Sequence, residues 1–239
     1  SAFSVMVGIG ETYVPAFVLA LGMGQVAAGL VATLPILAGG LLQLAAPAIL
    51  RRLSSPRTWV VGAAIVQALS LVPLIVVALR GSGAAWEVFL AVSIYWAFGL
   101  AGGPAWNQWV EKLFPRSIRP GFFARRSRLN QIAMLGGLVG GGLTLRFAQG
   151  EGRVLAAFAC LFAVAVICRL ISAGFLAMQS ATPTAELQME SEPTGFRHWS
   201  PEVRRLVGYL LAVQVGVYIA GPYFTPYMLA GLEMSYSTY

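Results

Sequence analysis

The sequence predicts an all-α fold, a polytopic membrane helix bundle. Hydrophobic residues make up 58% of the 239 residues, and charged residues only 10%. The mean hydropathy is +0.75, which is typical of chains whose helices lie in lipid rather than in water. The 16 lysines and arginines lie mainly between apolar stretches. We therefore attribute the net charge of +7 to membrane topology, and we expect no nucleic-acid partner.

Seven stretches approach the length of about 20 apolar residues that a membrane-spanning helix needs. We predict spans over residues 2–21, 26–50, 59–79, 86–110, 129–145, 154–178 and 206–229. The connections after spans 2, 4 and 6 are rich in arginine, whereas those after spans 1, 3 and 5 carry few charges. Short basic loops stay on the cytoplasmic side during insertion, so the pattern predicts that the N-terminus and the even-numbered exits are cytoplasmic.

The segment over residues 179–203 is polar and contains several glutamates and prolines. We predict that it is a cytoplasmic linker. It would join an N-terminal six-helix bundle, residues 1–178, to the first helix of a C-terminal bundle, residues 204–239.

An internal repeat supports this division of the chain. A shift of 211 residues brings two short sets of similar residues into alignment. These are Gly10, Tyr13, Pro15, Leu21 and Met23, aligned with Gly221, Phe224, Pro226, Leu232 and Met234. Both copies are predicted to run outward from the cytoplasm, which indicates a parallel repeat about an axis along the membrane normal.

Two connections carry a family resemblance. The connection between spans 2 and 3 reads LRRLSSPRTW. A Gly-x3-Asp-Arg-x-Gly-Arg-Arg type motif is usual at this place in the family that the chain resembles. The chain has the basic residues Arg51, Arg52 and Arg57, but it lacks the Asp and has Ser54 where Gly is expected. The connection between spans 4 and 5 reads PRSIRPGFFARRSRL. It is similar to the basic connection at this place in many bacterial members of the same family. With six spans, a linker and a seventh span similar to the first, the chain resembles the major facilitator superfamily. The resemblance implies twelve spans, seven of them in this chain, and a location in the bacterial inner membrane.

The resemblance also implies a function. Members of this superfamily are secondary active transporters. The resemblance implies that the chain, together with the C-terminal half of the same protein, moves a small solute by alternating access and without a cofactor. The alternative is a transport-inactive scaffold or assembly subunit of a larger membrane complex. The sequence has no nucleotide-binding motif, metal-ligand cluster or nucleophile triad, so we expect neither an enzyme nor a metal site.

Glu11, near the middle of span 1, is the only acidic residue within the apolar interior of a predicted span. A carboxylate there is costly unless it faces a cavity, has a partner or is protonated, so a functional role is the default interpretation. As a proton acceptor it would couple solute movement to the proton gradient. The alternatives are that it lies near the interface or caps a helix break near Pro15. Arg169, inside span 6, is a second candidate, although its side chain can also extend towards the headgroups.

The remaining candidates fall into two groups. For substrate or coupling-ion contact we expect Glu11, Tyr13, Gln43, Tyr95, Arg169 and Gln214, with Gln67, Trp96 and Trp106 as further possible cavity residues. Tyr95 occupies the position at which proton-coupled drug antiporters of the major facilitator superfamily have an arginine. For a cytoplasmic gate we expect Arg51, Arg52, Arg57, Asn107, Glu111, Arg119, Arg125 and Arg126. The small-x3-small glycines over residues 136–142 predict close helix packing.

Overall fold

The computed structural model describes residues 2–50, 55–113, 117–180, 200–236 and 238, and in this part of the chain every regular element is a helix. The α-helices are α1 (Ala2–Ile9), α2 (Val14–Ala20), α3 (Gln25–Val31), α4 (Leu34–Leu50), α5 (Pro56–Leu69), α6 (Val72–Arg80), α7 (Ala85–Leu113), α8 (Arg119–Gly150), α9 (Val154–Ala177), α10 (Pro201–Ala220) and α11 (Phe224–Pro226). Two 3₁₀ segments, Glu11–Tyr13 and Gly221–Tyr223, and a π-helical turn, Tyr227–Gly231, complete the set.

Six helical stretches are long and apolar enough to cross a membrane. They are Ala2–Ala20, Gln25–Ala46, Pro56–Arg80, Ala85–Asn107, Val154–Ala177 and Pro201–Gly231. The chain is therefore an all-helical, multi-pass membrane protein, as its composition predicts. The predicted fifth span, 129–145, lies within α8 and is absent from this set. α8 combines a basic first third with a glycine-rich remainder, which makes it less apolar than its neighbours.

The helix of the first span is interrupted near Pro15, as the sequence suggests. α1 ends at Ile9, Gly10 precedes a 3₁₀ turn, and α2 then begins with Pro15 in its first turn. Proline has no backbone N–H, so it is tolerated at this position and not in a helix interior. The break near Pro15 that the sequence suggests is thus present, and Glu11 lies within it.

Close contact between α1 and α8 depends on small residues. A Cβ atom on Gly137 would lie 2.9 Å from the Val5 carbonyl oxygen, and one on Gly141 would lie 2.5 Å from the Tyr13 ring. On the α1 side, a Cβ on Gly8 would collide with the Met134 carbonyl. Direct approach of backbones through small residues is how helices associate in lipid. The predicted packing role is confirmed for Gly137 and Gly141, but not for Gly136 and Gly140, where an added Cβ atom would have nothing within 4 Å.

The two ends of the bundle agree with the predicted topology. At one end the Arg57 guanidinium donates to the Gln179 carbonyl at 2.9 Å, and the Trp109 indole donates to the Ser180 carbonyl at 3.0 Å. At the other end Gly81, after α6, lies beside Leu155 at the start of α9. The exits of spans 4 and 6 and the entry of span 3 therefore share one end, which is the arginine-rich end.

The two segments of the predicted repeat share two backbone features. Each copy contains a 3₁₀ turn at nearly the same aligned position, Glu11–Tyr13 in the first and Gly221–Tyr223 in the second. Gly22 has φ of 75° and Glu233, which the shift of 211 residues aligns with it, has φ of 51°. Glu233 is the only non-glycine residue with positive φ in the described part of the chain. A side chain in this region is strained, so the shared conformation supports the repeat.

The last described segment packs on the bundle only at the end away from the arginines. α10 has no buried residue. Beyond it the Tyr223 ring lies against Gly29, Pro222 and Pro226 are buried, and the Tyr236 ring lies 6.2 Å from that of Phe158.

Two neighbouring glycines of α8 provide a matched test of the helix contact. We expect Gly137→Ala to lower the free energy of unfolding by about 1–3 kcal/mol, because its Cβ would press on the Val5 backbone. Gly136→Ala, where nothing lies within 4 Å, is the control. Thermal unfolding of the full chain in detergent measures both. Equal melting temperatures for the two variants would contradict the contact.

Single cysteines test the topology. Ser82 and Ser127 are both exposed, at opposite ends of the bundle. In a background with Cys160 and Cys168 replaced by Ala, we expect a membrane-impermeant maleimide to label Ser82→Cys in intact cells. Ser127→Cys should react only after permeabilisation. Labelling of both from the same side would be incompatible with the arrangement.

Candidate functional site

A carboxylate and a phenol meet inside the bundle. The Tyr95 hydroxyl, from α7, donates a hydrogen bond of 2.6 Å to Oε2 of Glu11 in the broken first span. The same hydroxyl lies 3.5 Å from Sδ of Met6. Since Tyr95 has one hydroxyl proton, the shorter contact with the carboxylate is the principal bond. Tyr95 is only 2% exposed, so this bond forms away from bulk water.

Gln67, from α5, extends the pair into a three-residue network. A side-chain hydrogen bond links it to Tyr95, while its Oε1 is buried and has no partner in the described part of the chain. A Cβ atom on Gly99 would lie 2.5 Å from Gln67 Nε2, so the Gln67 amide occupies space that a larger residue at position 99 would need. The polar network thus joins the first span, α5 and α7, and α7 accommodates it through a glycine.

Glu11 faces a cavity of about 160 Å³ among the first four predicted spans. Its walls are otherwise mostly apolar, and they are formed by Glu11, Thr12, Val14, Pro15, Val31, Ala32, Leu71, Val92, Tyr95 and Trp96. This volume exceeds by about tenfold the 10–15 Å³ that one water molecule requires. Space, a titratable group and a hydrogen-bond donor therefore meet at one place, which is the arrangement expected of an intramembrane proton or substrate site.

Arg169 lies in a second cavity, of about 200 Å³, nearer the arginine-rich end. Its Cζ lies 4.7 Å from the Phe3 ring centroid. Arg126, on the same cavity, places Cζ 4.2 Å from the ring of Trp106. Burial lowers the pKa of the Arg126 guanidinium from its ordinary value, although arginine remains protonated in proteins.

Comparison of the chain with protein-family models, with curated proteins and with solved structures finds no match in any of the three. In the described part of the chain, no group of three or more His, Cys, Asp or Glu residues could hold a metal ion.

The structure brings together only some of the predicted substrate residues. Glu11 and Tyr95 are in contact, and Arg169 is close enough to Tyr95 to affect it electrostatically. Tyr13 instead packs on α8, where its hydroxyl donates to the Leu138 carbonyl at 2.6 Å. Gln43 and Gln214 are exposed, and neither lines the Glu11 cavity.

The predicted gate residues are also divided. The Arg57 guanidinium donates to the carbonyl of Gln179, just beyond the end of α9, and so links the start of α5 to the end of α9. Arg126 stacks on an aromatic ring, while Asn107 and Arg125 are exposed and Arg119 begins α8. The other predicted gate positions, Arg51, Arg52 and the side chain of Glu111, lie outside the described residues.

Sequence reasoning missed Phe3 and Met6. Phe3 contacts Arg169 and Met6 contacts Tyr95, so both border the polar groups of the interior. A signal existed, since Phe3, Met6 and Gly10 follow the i, i+3, i+7 spacing of one helix face. The same face contains Gly10, which lies at the helix break next to Glu11.

A double-mutant cycle tests the Glu11–Tyr95 bond. We expect Tyr95→Phe to lower the free energy of unfolding by about 1.5–3 kcal/mol, because a charged acceptor loses its donor. In a Glu11→Gln background the same change should cost only about 0.5–1.5 kcal/mol. Thermal unfolding in detergent measures both.

Tyr209→Phe, at an exposed tyrosine of α10, is the matched control and should change little. An identical loss for Tyr95→Phe in the two backgrounds would mean that the hydroxyl and the carboxylate are not coupled.

Proposed function

We propose that the chain forms part of a secondary active transporter of the major facilitator type, which moves a small solute by alternating access with Glu11 as the proton-coupling group. The observation that carries the proposal is the Glu11 carboxylate, which is bound to Tyr95 and borders a cavity in the middle of the first span. Acidic residues inside membrane spans commonly mark proton or substrate pathways.

Protonation would change the cost of enclosing Glu11. As a carboxylate it needs water or strong donors, and in the described structure Tyr95 is the donor. As a neutral carboxylic acid it can be enclosed in apolar surroundings at much lower cost. A conformation that exposes the cavity to water would thus be favoured when Glu11 is charged, and an occluded one when it is protonated. Differential stabilisation of two states is what a coupled transporter requires.

The break in the first span supports the same proposal. Discontinuous helices surround substrate and ion sites in many transporters, because their free backbone groups and small residues provide polarity and a point of bending. Here the 3₁₀ turn Glu11–Tyr13 separates α1 from α2 at the level of the cavity. Bending at this turn would move Glu11 relative to Tyr95 on α7.

Three features support the superfamily assignment and seven spans. The first and last spans have a 3₁₀ turn and a residue with positive φ at similar aligned positions, which supports a parallel repeat. α8, with 32 residues, is long enough to be a further span despite its weaker hydropathy. α10 has no buried residue, which is suitable for a helix that packs within a second bundle. The bacterial inner membrane is proposed from the resemblance carried by the basic stretch over residues 115–129, most of which lies in the first part of α8.

Transport by reconstituted full-length protein tests the role of Glu11. Wild-type protein in proteoliposomes would be screened with radiolabelled amino acids, sugars and organic acids under an imposed proton gradient. For a transported solute, we expect Glu11→Gln to abolish gradient-driven accumulation and to retain exchange of labelled for unlabelled solute. The reason is that Gln resembles the protonated side chain and cannot release a proton.

Glu151→Gln makes the same chemical change at an exposed site and should behave as wild type. Accumulation by Glu11→Gln at the wild-type rate would disprove the coupling role. Absence of transport by any form, together with a membrane partner captured by pull-down, would favour the scaffold alternative.

A further inference from the structure

Two arginines from neighbouring helices share the cavity of about 200 Å³ at the arginine-rich end. Arg126 of α8 lies over Trp106, and Arg169 of α9 lies over Phe3. A guanidinium that stacks on a ring uses its flat face, so its N–H groups remain available in the plane. Both cations are therefore held in place while they keep hydrogen bonds to donate.

At least one of these donors has no acceptor. Nε of Arg169 is buried and without a hydrogen-bond partner in the described part of the chain. Buried polar groups in proteins almost always have partners, so an exception of this kind requires an explanation. Ser172, three residues after Arg169 on the same helix, adds a hydroxyl to the cavity wall. A ligand with acceptor oxygens would satisfy this group of donors.

The remaining walls of the cavity are apolar and include no carboxylate among the described residues. A larger cavity of about 600 Å³ shares Phe3, Trp106, Arg126 and Ser172 with it, and described carboxylates are absent from that lining as well. The larger cavity extends to Gln179 at the cytoplasmic end of α9. A soluble molecule or a lipid headgroup could therefore approach from the cytoplasmic side.

We propose that this cavity, bordered by Arg126, Arg169 and Ser172, binds an organic anion with a single carboxylate or phosphate group on a small apolar body. The guanidiniums bind the anionic group, which planar N–H donors match well. The Phe3 and Trp106 rings contact the apolar part. None of the residues that line the Glu11 cavity lines this one, so the two sites can be altered separately by substitution.

Direct binding to the purified full-length chain in an uncharged maltoside detergent tests the proposal, with benzoate as the probe and benzamide as its neutral counterpart of equal size. We expect benzoate to raise the melting temperature saturably and benzamide to have no effect. Arg126→Gln and Arg169→Gln should each weaken the benzoate Kd by about tenfold or more, because each removes a charge-assisted hydrogen bond.

Arg125→Gln is the matched control. It removes the same charge from the residue next to Arg126, but Arg125 borders neither of the two cavities. Its benzoate Kd should remain within about twofold of the wild-type value. Arg169→Lys keeps the charge but loses the planar donors, so it should bind benzoate with an intermediate Kd. If either Gln variant of the cavity arginines fails to fold, Ser172→Ala and Arg169→Lys provide the comparison.

Nanodiscs distinguish the two sources of the anion. If phosphatidylglycerol in the bilayer competes with benzoate, whereas phosphatidylcholine does not, the natural occupant is a lipid headgroup. Equal benzoate binding in both bilayers assigns the site to a soluble anion. Equal stabilisation by benzamide, unchanged Kd values in both Gln variants, or an equal loss in Arg125→Gln would each overturn the proposal. Glu11→Gln should leave the benzoate Kd unchanged, which separates this test from that of the transport function.

Discussion

The hydrogen bond between Glu11 and Tyr95 imposes the strictest constraint on the described structure. An ionised carboxylate in an apolar bundle is tolerated only with a strong donor or access to water. The donor comes from α7, far along the chain from the first span, so the two helices must meet in one register. Gly10 permits close packing of the first span on α9, since a Cβ atom there would lie 2.9 Å from that of Ala165. Gly99 of α7 leaves room for the Gln67 side chain.

The interior of the bundle is electrostatically asymmetric. The carboxylate of Glu11 lies on one side of Tyr95, and the guanidinium of Arg169 acts on the same tyrosine from the arginine-rich side. The two charged groups border separate cavities, so no direct ion pair cancels them. Stacking on Phe3 holds Arg169 without neutralising it.

Much of the helical architecture was predictable, because the bilayer restricts what a spanning segment can be. Length, hydropathy and the alternation of basic connections predict the helices and their direction, and the described ends of the bundle agree. The break near Pro15 was predictable because proline and glycine act locally on the backbone. The fifth span was least certain, since the glycines that permit close packing also reduce the hydropathy of α8.

The site was predictable only in part. Glu11 stood out because an acidic residue among apolar ones is visible in the sequence. The sequence did not indicate that Tyr95 would bind it, that Tyr13 would instead pack on α8, or that Phe3 would hold Arg169.

The sequence by itself determined that the chain is a bundle of membrane helices, where its basic connections lie, and which side chain is unusual within a span. Only the tertiary structure decided which side chains are neighbours. The physical reason is that hydropathy and charge act on each segment separately, whereas a hydrogen bond or a stacked ring depends on the rotation and register of two helices together. In this chain, glycines at the contacts set that register.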